Sequence, residues 1–241
     1  MSLPIPPIWT PGTPRPDGAF VIPIDKPKGI TSFGVIRRLR GILKEKKIGH
    51  AGTLDPMATG LLICLVGREA TRCADVFQGQ HKLYSGTIKL GETTASYDAE
   101  TEVVETRDAS GVTAEQVTEA AQQFVGEIEQ IPPVYSAIKK DGERLYKKAR
   151  RGEEVDVPPR HVTVFFFDVD ASDLPSVTFE TGCTKGTYVR SLAHDLGAAL
   201  GVGGHLTALR RLAIGDTHVD TAWTMERLEE EAGLKSKANA G

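Results

Sequence analysis

The sequence predicts an α+β fold with a mixed, mostly antiparallel central sheet flanked by helices. Apolar and polar residues alternate along His81–Leu90, which is the period of a strand. Apolar residues recur with helical spacing at Val35, Ile36, Leu39 and Leu43. Strand and helix patterns are interleaved along the chain, but without the strict βαβ alternation that is typical of a parallel sheet.

The sequence of residues 1–44 predicts a tail, a strand and a capped helix. Prolines at positions 4, 6, 7, 11, 14 and 16 exclude a helix or a central strand, and indicate a poorly ordered, disordered tail over residues 1–18. Phe20–Ile24 is a short apolar strand that ends in the turn Asp25–Gly29. Thr31 or Ser32 can then cap a helix whose outer face is basic.

The remaining elements follow in order, and we expect one main domain over residues 19–220 and a short C-terminal helix and tail over 221–241. Thr113 and Gln116 form a capping box at the start of one of the helices. The predicted strands are Leu61–Val66, His81–Leu90, Arg160–Asp170, Ser176–Thr181 and Leu206–Ile214. The predicted helices are Glu69–Phe77, one from Thr113, one within Tyr135–Gly152, one from Gly186–Arg190 to Leu200, and Thr224–Glu231.

Composition limits the class of protein. An apolar fraction of 40% over 241 residues is sufficient for a core, and three cysteines without metal-type spacing favour a reducing compartment. The sequence contains neither a bilayer-spanning apolar run nor a signal peptide, so we expect a cytoplasmic protein without a membrane partner. Since no P-loop, dinucleotide fingerprint or zinc pattern occurs, we expect no cofactor and no metal.

Basic residues are gathered locally, although the net charge is −3. An overall acidic chain does not bind nucleic acid through bulk charge, so any RNA contact must come from local clusters. One cluster lies within residues 37–47 and the other within residues 139–151. A solvated helix face explains either cluster equally well when it is considered alone. The candidate contacts to an RNA backbone are Arg37, Arg38, Lys139, Lys147 and Arg151.

A glycine-containing stretch, Lys47–Gly60, follows the first basic cluster. Glycine costs conformational entropy on folding, so its repeated use favours a loop whose backbone approaches a ligand. Asp55 is the carboxylate of this stretch. An Asp-Pro step is most often only a turn, but here glycines and a basic helix surround it. A carboxylate can also attack an electrophilic carbon and form a covalent intermediate. We therefore interpret Asp55 as a candidate nucleophile.

The stretch Gly49–Gly60 resembles the aspartate-bearing motif of pseudouridine synthases of the bacterial TruB type. Four more segments resemble family motifs in the same order, and together they span roughly residues 20–215, most of the chain. They are Asp25–Ser32, His81–Tyr84, Gly186–Ser191 and Leu209–Leu212. The resemblance implies the pseudouridine synthase fold with RNA-binding loops, and isomerisation of uridine at position 55 in the T-arm loop of tRNA.

The resemblance also implies roles for individual residues. Asp55 is the nucleophile, Arg190 pairs with it, and Tyr84 stacks on the target base and helps to remove the C5 proton. His50 fills the space that the extruded uridine leaves in the RNA, Tyr188 lies with Arg190 at the site, and Leu209 lies against the bound nucleotide. Asp25 and Lys26 are interpreted as a scaffold for the catalytic loop.

Several alternatives stay open at this point. The aspartate can attack C6 of uracil or C1′ of the ribose, and the sequence does not distinguish the two routes. The same basic surfaces suit a non-catalytic tRNA-binding or RNA chaperone module, and a nucleoside hydrolase or base-exchange enzyme also opens an N-glycosidic bond. We expect a monomer that recognises the T stem-loop without a partner protein, and without the full C-terminal RNA-binding domain that is common in the family.

Overall fold

The computed structural model describes residues 4–136, 139–140, 143–144, 151 and 157–233. The chain divides into two compact units. The first unit comprises Met1–Tyr84 and Arg210–Gly241, and the second comprises Ser85–Leu209. No helix in the described ranges is both long enough and apolar enough to cross a membrane.

The helices and strands are named here in chain order. The strands are β1 (Phe20–Lys26), β2 (Ile48–Ala51), β3 (Thr59–Val66), β4 (Lys82–Leu90), β5 (Glu92–Thr94), β6 (Val103–Thr106), β7 (Gly126–Gln130), β8 (Lys139–Lys140), β9 (Glu143–Arg144), β10 (Arg160–Asp173), β11 (Ser176–Cys183), β12 (Gly204–Ile214), β13 (Thr217–His218) and β14 (Trp223–Thr224). The helices are α1 (Ser32–Leu43), α2 (Arg68–Thr71), α3 (Ala74–Gly79), α4 (Ala114–Gln122), α5 (Val189–Ala199) and α6 (Met225–Glu231), and Val219–Thr221 forms a 3₁₀ turn.

The first unit is built around β3, every residue of which beyond Thr59 is buried. On β3, β1 and β2 pair antiparallel, whereas the Arg210–Arg211 segment of β12 pairs parallel. Thr31 caps α1 by accepting a hydrogen bond from the Gly34 amide, so the predicted cap is confirmed. The apolar face of α1 packs into a core with β1, β3 and Trp223.

The N-terminal segment differs from the disordered tail that the sequence predicted. Trp9 is buried in the same core, with its ring against Phe20 and Trp223. Its amide donates to the Val21 carbonyl, and its own carbonyl accepts from the Trp223 indole at 3.1 Å. The prolines do prevent a helix here, but burial of a large aromatic ring is sufficient to hold an extended segment in place. The prediction of disorder is therefore wrong for the segment around Trp9.

In the second unit, β10 pairs antiparallel with both β11 and β7. The capping box predicted at Thr113 and Gln116 is present at the start of α4, and α4 buries Val117, Ala120 and Ala121. In α5 the buried positions include Val189, Leu192 and Leu196, as the helical period predicted.

The predicted fold class is confirmed, because the central sheet contains both parallel and antiparallel pairs and helices flank it. The helix predicted within Tyr135–Gly152 is wrong where the structure describes that range, since β8 and β9 form an antiparallel pair. The intervening sequence, residues 141–142, is Asp-Gly, which is the dipeptide favoured in two-residue hairpin turns.

Candidate functional site

Asp55 lies half-buried in the loop that joins β2 to β3. The preceding residue, Leu54, is held by Ser32 of α1, whose hydroxyl accepts from the Leu54 amide at 2.9 Å and donates to the Leu54 carbonyl at 3.0 Å. After Asp55 the chain turns, because the Ala58 amide donates to the Asp55 carbonyl at 3.1 Å. The backbone on both sides of the carboxylate is therefore fixed.

Lys26 holds the same loop through hydrogen bonds from its side chain. Its side chain is fully buried, and its ammonium group donates to the carbonyls of Pro27, Ile30 and Pro56 at 3.0, 2.8 and 3.3 Å. A buried ammonium group must find acceptors, and here these acceptors come from the turn after β1 and from the residue after Asp55. The interpretation of Lys26 as scaffold for the loop is confirmed.

Arg211 joins the two ends of the loop. Only 1% of this residue is exposed, and its guanidinium group donates to the Leu61 carbonyl at 2.7 Å and to the Gly52 carbonyl at 2.9 Å. Gly60 has φ +98°, and a Cβ at this position would lie 2.3 Å from the Arg211 carbonyl oxygen. Only glycine allows β3 to approach β12 this closely. The guanidinium group thus fixes the loop where it begins and where it ends.

Asp25, the residue before Lys26, pairs with Arg210. Both carboxylate oxygens of Asp25 accept from the guanidinium group, at 3.0 and 2.7 Å. This bidentate geometry orients both planar groups. The neighbouring arginines of β12 therefore act on different parts of the first unit, Arg210 on the end of β1 and Arg211 on the loop.

His50 lies on β2 opposite Cys64 of β3. Its Nδ1 is buried and makes no hydrogen bond within the described part of the chain. Burial, and then the positive charge of Arg211, lower the pKa of His50 below its ordinary value of 6.5. The imidazole is consequently neutral at neutral pH.

Tyr84 is 9% exposed and ends the part of β4 that belongs to the first unit. Asp55, His50 and Tyr84 thus lie in the first unit, whereas Tyr188, Arg190 and Leu209 lie in the second. The pairing of Arg190 with Asp55 that the resemblance implies stays a prediction.

Arg190, near the start of α5, is 6% exposed. Its guanidinium group donates to the carbonyls of Ser96 and Tyr135, both at 3.0 Å, and lies 3.4 Å from the Asp98 carboxylate. Asp98 is itself fully buried and accepts from the Ser96 hydroxyl and the Glu100 amide. The guanidinium group is therefore oriented by partners within its own unit. Asp98 lies in a stretch that the sequence showed only as polar and turn-rich.

Tyr188 precedes α5 and is held through its backbone. Its backbone amide donates to the side-chain oxygen of Gln130 at 2.7 Å, and its carbonyl accepts from the side-chain nitrogen of Gln130 at 3.1 Å. The guanidinium group of Arg160 lies over the Tyr188 ring, 5.3 Å from its centroid. Leu209 on β12 is 9% exposed. These observations do not identify a ligand, so the roles of Tyr188 and Leu209 stay predictions.

The predicted RNA-backbone residues are placed unevenly. Arg37 and Arg38 are exposed on α1, and Arg151 is also exposed. Lys139 is part of the short strand β8. Lys147 lies outside the described residues. Within the described ranges, no group of three or more His, Cys, Asp and Glu side chains is arranged to hold a metal ion.

Comparison with known families matches residues 40–189 to the N-terminal domain of the TruB family pseudouridylate synthases, and residues 190–239 to the C-terminal domain of tRNA pseudouridylate synthase B. The chain belongs to the TruB family. It is 44% identical over 209 residues to a protein of Syntrophotalea carbinolica named tRNA pseudouridine synthase B, covering 87% of this chain and 68% of that protein. A protein of Flavobacterium johnsoniae with the same name is 45% identical over 217 residues, covering 87% of this chain and 94% of that protein.

A solved structure related to this TruB family chain comes from a Cbf5-Nop10-Gar1 complex, with a TM-score of 0.68 and 28% sequence identity. The match covers 90% of this chain and 56% of the solved one, so this chain spans little more than half the length of that protein. A chain from an archaeal box H/ACA sRNP Nop10-Cbf5 complex matches with a TM-score of 0.65 and 26% identity, covering 90% of this chain and 55% of that one.

Proposed function

We propose that this chain isomerises uridine to pseudouridine in the T-arm loop of tRNA, at position 55. The proposal is supported by membership of the TruB family and by curated relatives that are named tRNA pseudouridine synthase B. The structural observation that carries it is the fixed loop around Asp55. Ser32, Lys26 and Arg211 hold the backbone on both sides of one half-buried carboxylate.

The reaction needs a positioned nucleophile, a base and no redox partner. Asp55 forms a bond to C6 of the uracil or to C1′ of the ribose, the N1–C1′ bond breaks, and the base turns so that C5 bonds to C1′. The bond to Asp55 then breaks, at C1′ when C5 displaces the carboxylate or at C6 by elimination, and the free carboxylate is restored. A base then removes the C5 proton and N1 gains a proton, so that product and substrate have the same composition. No cofactor enters this balance. Because the fold already holds the carboxylate in position, the reaction avoids the loss of entropy that would accompany the binding of a free nucleophile.

Tyr84 and Arg190 complete the proposed catalytic group. Tyr84, a nearly buried aromatic residue, stacks on the target base and helps to remove the C5 proton. Arg190 pairs with Asp55, because a carboxylate taken out of water is kept ionised by a neighbouring cation. The ion pair of Arg190 with Asp98 holds the guanidinium group in one orientation.

The target uridine must leave its stack before a side chain can reach C1′ or C6. We infer that neutral His50 fills the vacated space, and that Tyr188 and Leu209 lie against the extruded nucleotide. The exposed arginines Arg37, Arg38 and Arg151, with Lys139 and Lys147, contact phosphates and recognise the fold of the T stem-loop rather than its sequence. One copy of the chain acts without a partner protein.

The test is tritium release from a T-arm stem-loop transcript labelled at C5 of its uridines, followed by mapping of the modified position. We expect release of one tritium per transcript and a single pseudouridine at position 55. Release of free uracil would instead indicate a hydrolase. Tight binding of the transcript without any release would indicate a non-catalytic RNA-binding module.

A further inference from the structure

The exposed face of α1 combines an aromatic ring with a line of cations. At 3.6 residues per turn, Phe33, Arg37 and Arg40 fall within about 60° of one another on the helix, and Lys44 follows directly after the last turn. All four are exposed. The opposite side of the helix carries Val35, Ile36, Leu39 and Leu43, which pack in the core. We call Phe33, Arg37, Arg40 and Lys44 the α1 stripe.

Phe33 is not needed for packing. It is 62% exposed, although it stands next to helix positions that are almost completely buried. The guanidinium group of Arg40 lies 5.6 Å from the centroid of its ring, which leaves most of the ring open to solvent. An exposed ring beside cations is the combination that single-stranded nucleic-acid sites use, since bases stack on the ring and phosphates meet the cations.

The cations of the α1 stripe have no acidic partner in the described ranges. Among the residues that the structure describes, no carboxylate lies within salt-bridge distance of Arg37, Arg40 or Lys44, and α1 itself contains no Asp or Glu. Within the part of the chain that the structure describes, the only hydrogen bond of these three side chains is from Arg40 to the Ile48 carbonyl, at 3.5 Å. Their charge is therefore available to a polyanion, which gains by releasing its counterions when cations replace them.

The α1 stripe begins next to the residue that anchors the catalytic loop. Ser32, which precedes Phe33, makes both hydrogen bonds to the backbone of Leu54, and Asp55 follows Leu54. From Phe33 to Lys44 the helix rises by roughly 16 Å. A strand that leaves the loop at Asp55 can therefore continue along a line of positive charge that lies within the same unit.

We propose that the α1 stripe binds an RNA strand, with an unpaired nucleobase stacked on Phe33 and phosphates bound by Arg37, Arg40 and Lys44. The identification of this strand as part of the tRNA substrate rests on the function proposed above. The stripe gives Phe33 and Arg40 a role that no catalytic assignment includes. It also separates two kinds of contact on one helix, because stacking depends little on salt and phosphate binding depends on it strongly.

The first experiment measures the Kd for a full-length tRNA transcript from about 50 to about 200 mM salt. Phe33→Leu keeps an apolar side chain but removes the ring, so we expect the Kd to rise about 5- to 100-fold with an unchanged salt slope. Phe33→Trp keeps a stacking surface and should restore binding. The double variant Arg37→Gln/Arg40→Gln should reduce the slope of log Kd against log salt by about 1.4.

The matched control is Arg68→Gln/Arg72→Gln, which removes the same charge from two exposed arginines of α2 and its C-cap in the same unit. We expect it to lower the slope by less than half as much. If the control variant and the α1 variant change the slope equally, the effect is one of overall charge and the proposal is wrong. If Phe33→Leu binds like the wild type, the stacking site is wrong.

A photo-crosslinking phenylalanine analogue at position 33 identifies the occupant. We expect a crosslink to one unpaired nucleotide of the tRNA. No crosslink to bound tRNA would overturn the proposal, and a crosslink to protein only would indicate a partner protein on this face.

Tritium release by the wild type separates the two proposals. If the wild type isomerises uridine but the α1 variants bind tRNA normally, only the proposal for the α1 stripe is refuted. If the wild type binds tRNA through the stripe but does not isomerise uridine, only the proposed function is refuted.

Discussion

Replacement of Arg211 by methionine tests whether the buried guanidinium group holds the loop that carries Asp55. The variant keeps a long apolar side chain but removes the two hydrogen bonds to the carbonyls of Gly52 and Leu61. Hydrogen bonds to a charged group each contribute about 1.5–3 kcal/mol, so their gross loss is about 3–6 kcal/mol. Relief from burying the cation offsets part of this loss, and we expect a net decrease of about 3 kcal/mol in the free energy of unfolding.

For a chain of this size, such a decrease corresponds to a fall in Tm of about 6–12 °C, measured by circular dichroism or calorimetry. Arg211→Lys keeps the charge, but one ammonium group cannot reach both carbonyls in the same way, so its Tm should be intermediate. Arg72→Met, at an exposed position after α2, is the control and should stay within about 2 °C of the wild type.

The same variant also has an electrostatic consequence. The charge of Arg211 contributes to lowering the pKa of His50, so Arg211→Met should raise that pKa toward 6.5 in an NMR titration of the imidazole. A Tm within about 2 °C of the wild type, together with an unchanged His50 titration, would refute the view that Arg211 holds this loop.

Three further variants test other parts of the account. Asp98→Asn removes the carboxylate beside Arg190, and we expect single-turnover isomerisation to slow about 10- to 100-fold while tRNA binding stays within a few-fold; unchanged turnover would contradict a positioning role. Burial raises the pKa of Asp195 from 3.8 to about 6, so the folded state holds this proton more tightly, and the free energy of unfolding should fall as the pH rises through this range. Asp195→Asn should remove the contribution of this carboxyl group to the pH dependence, which is measured by urea unfolding at about pH 4.5 and about pH 7. An identical pH dependence of the free energy of unfolding in both proteins would exclude a raised pKa of Asp195. Tyr84→Phe should bind tRNA normally and release tritium much more slowly, whereas equal rates would remove Tyr84 from the chemical role.

Much of the fold follows from local sequence signals. Thr31 and Thr113 cap helices as predicted, because their side chains act on amides only three residues away. The strands β1 and β3 follow from their apolar runs, and the β10–β11 pair agrees with the prediction, whereas β2 lies in the stretch whose glycines indicated a loop. The segment around Trp9 does not, because the local signal of its prolines is opposed by contacts with Trp223 at the other end of the chain.

The environment of the candidate site could be predicted only in part. The glycines and the Asp-Pro step indicate a loop, but nothing local shows that Arg211 closes it from about 150 residues away. Arg210 and Arg211 are adjacent in sequence, yet alternation along β12 sends one to Asp25 and the other to the loop. Asp98 was missed for the same reason, since its partner Arg190 is distant in sequence.

The central claim is that one carboxylate on a fixed loop performs the chemistry. The most direct measurement compares the wild type with Asp55→Asn, in tritium release from a C5-labelled T-arm transcript and in the Kd for the same transcript. We predict that the variant releases no tritium above background and binds within a few-fold of the wild type, since the amide fills the same space but is not a nucleophile. Tritium release by Asp55→Asn at the wild-type rate would contradict the assignment of Asp55.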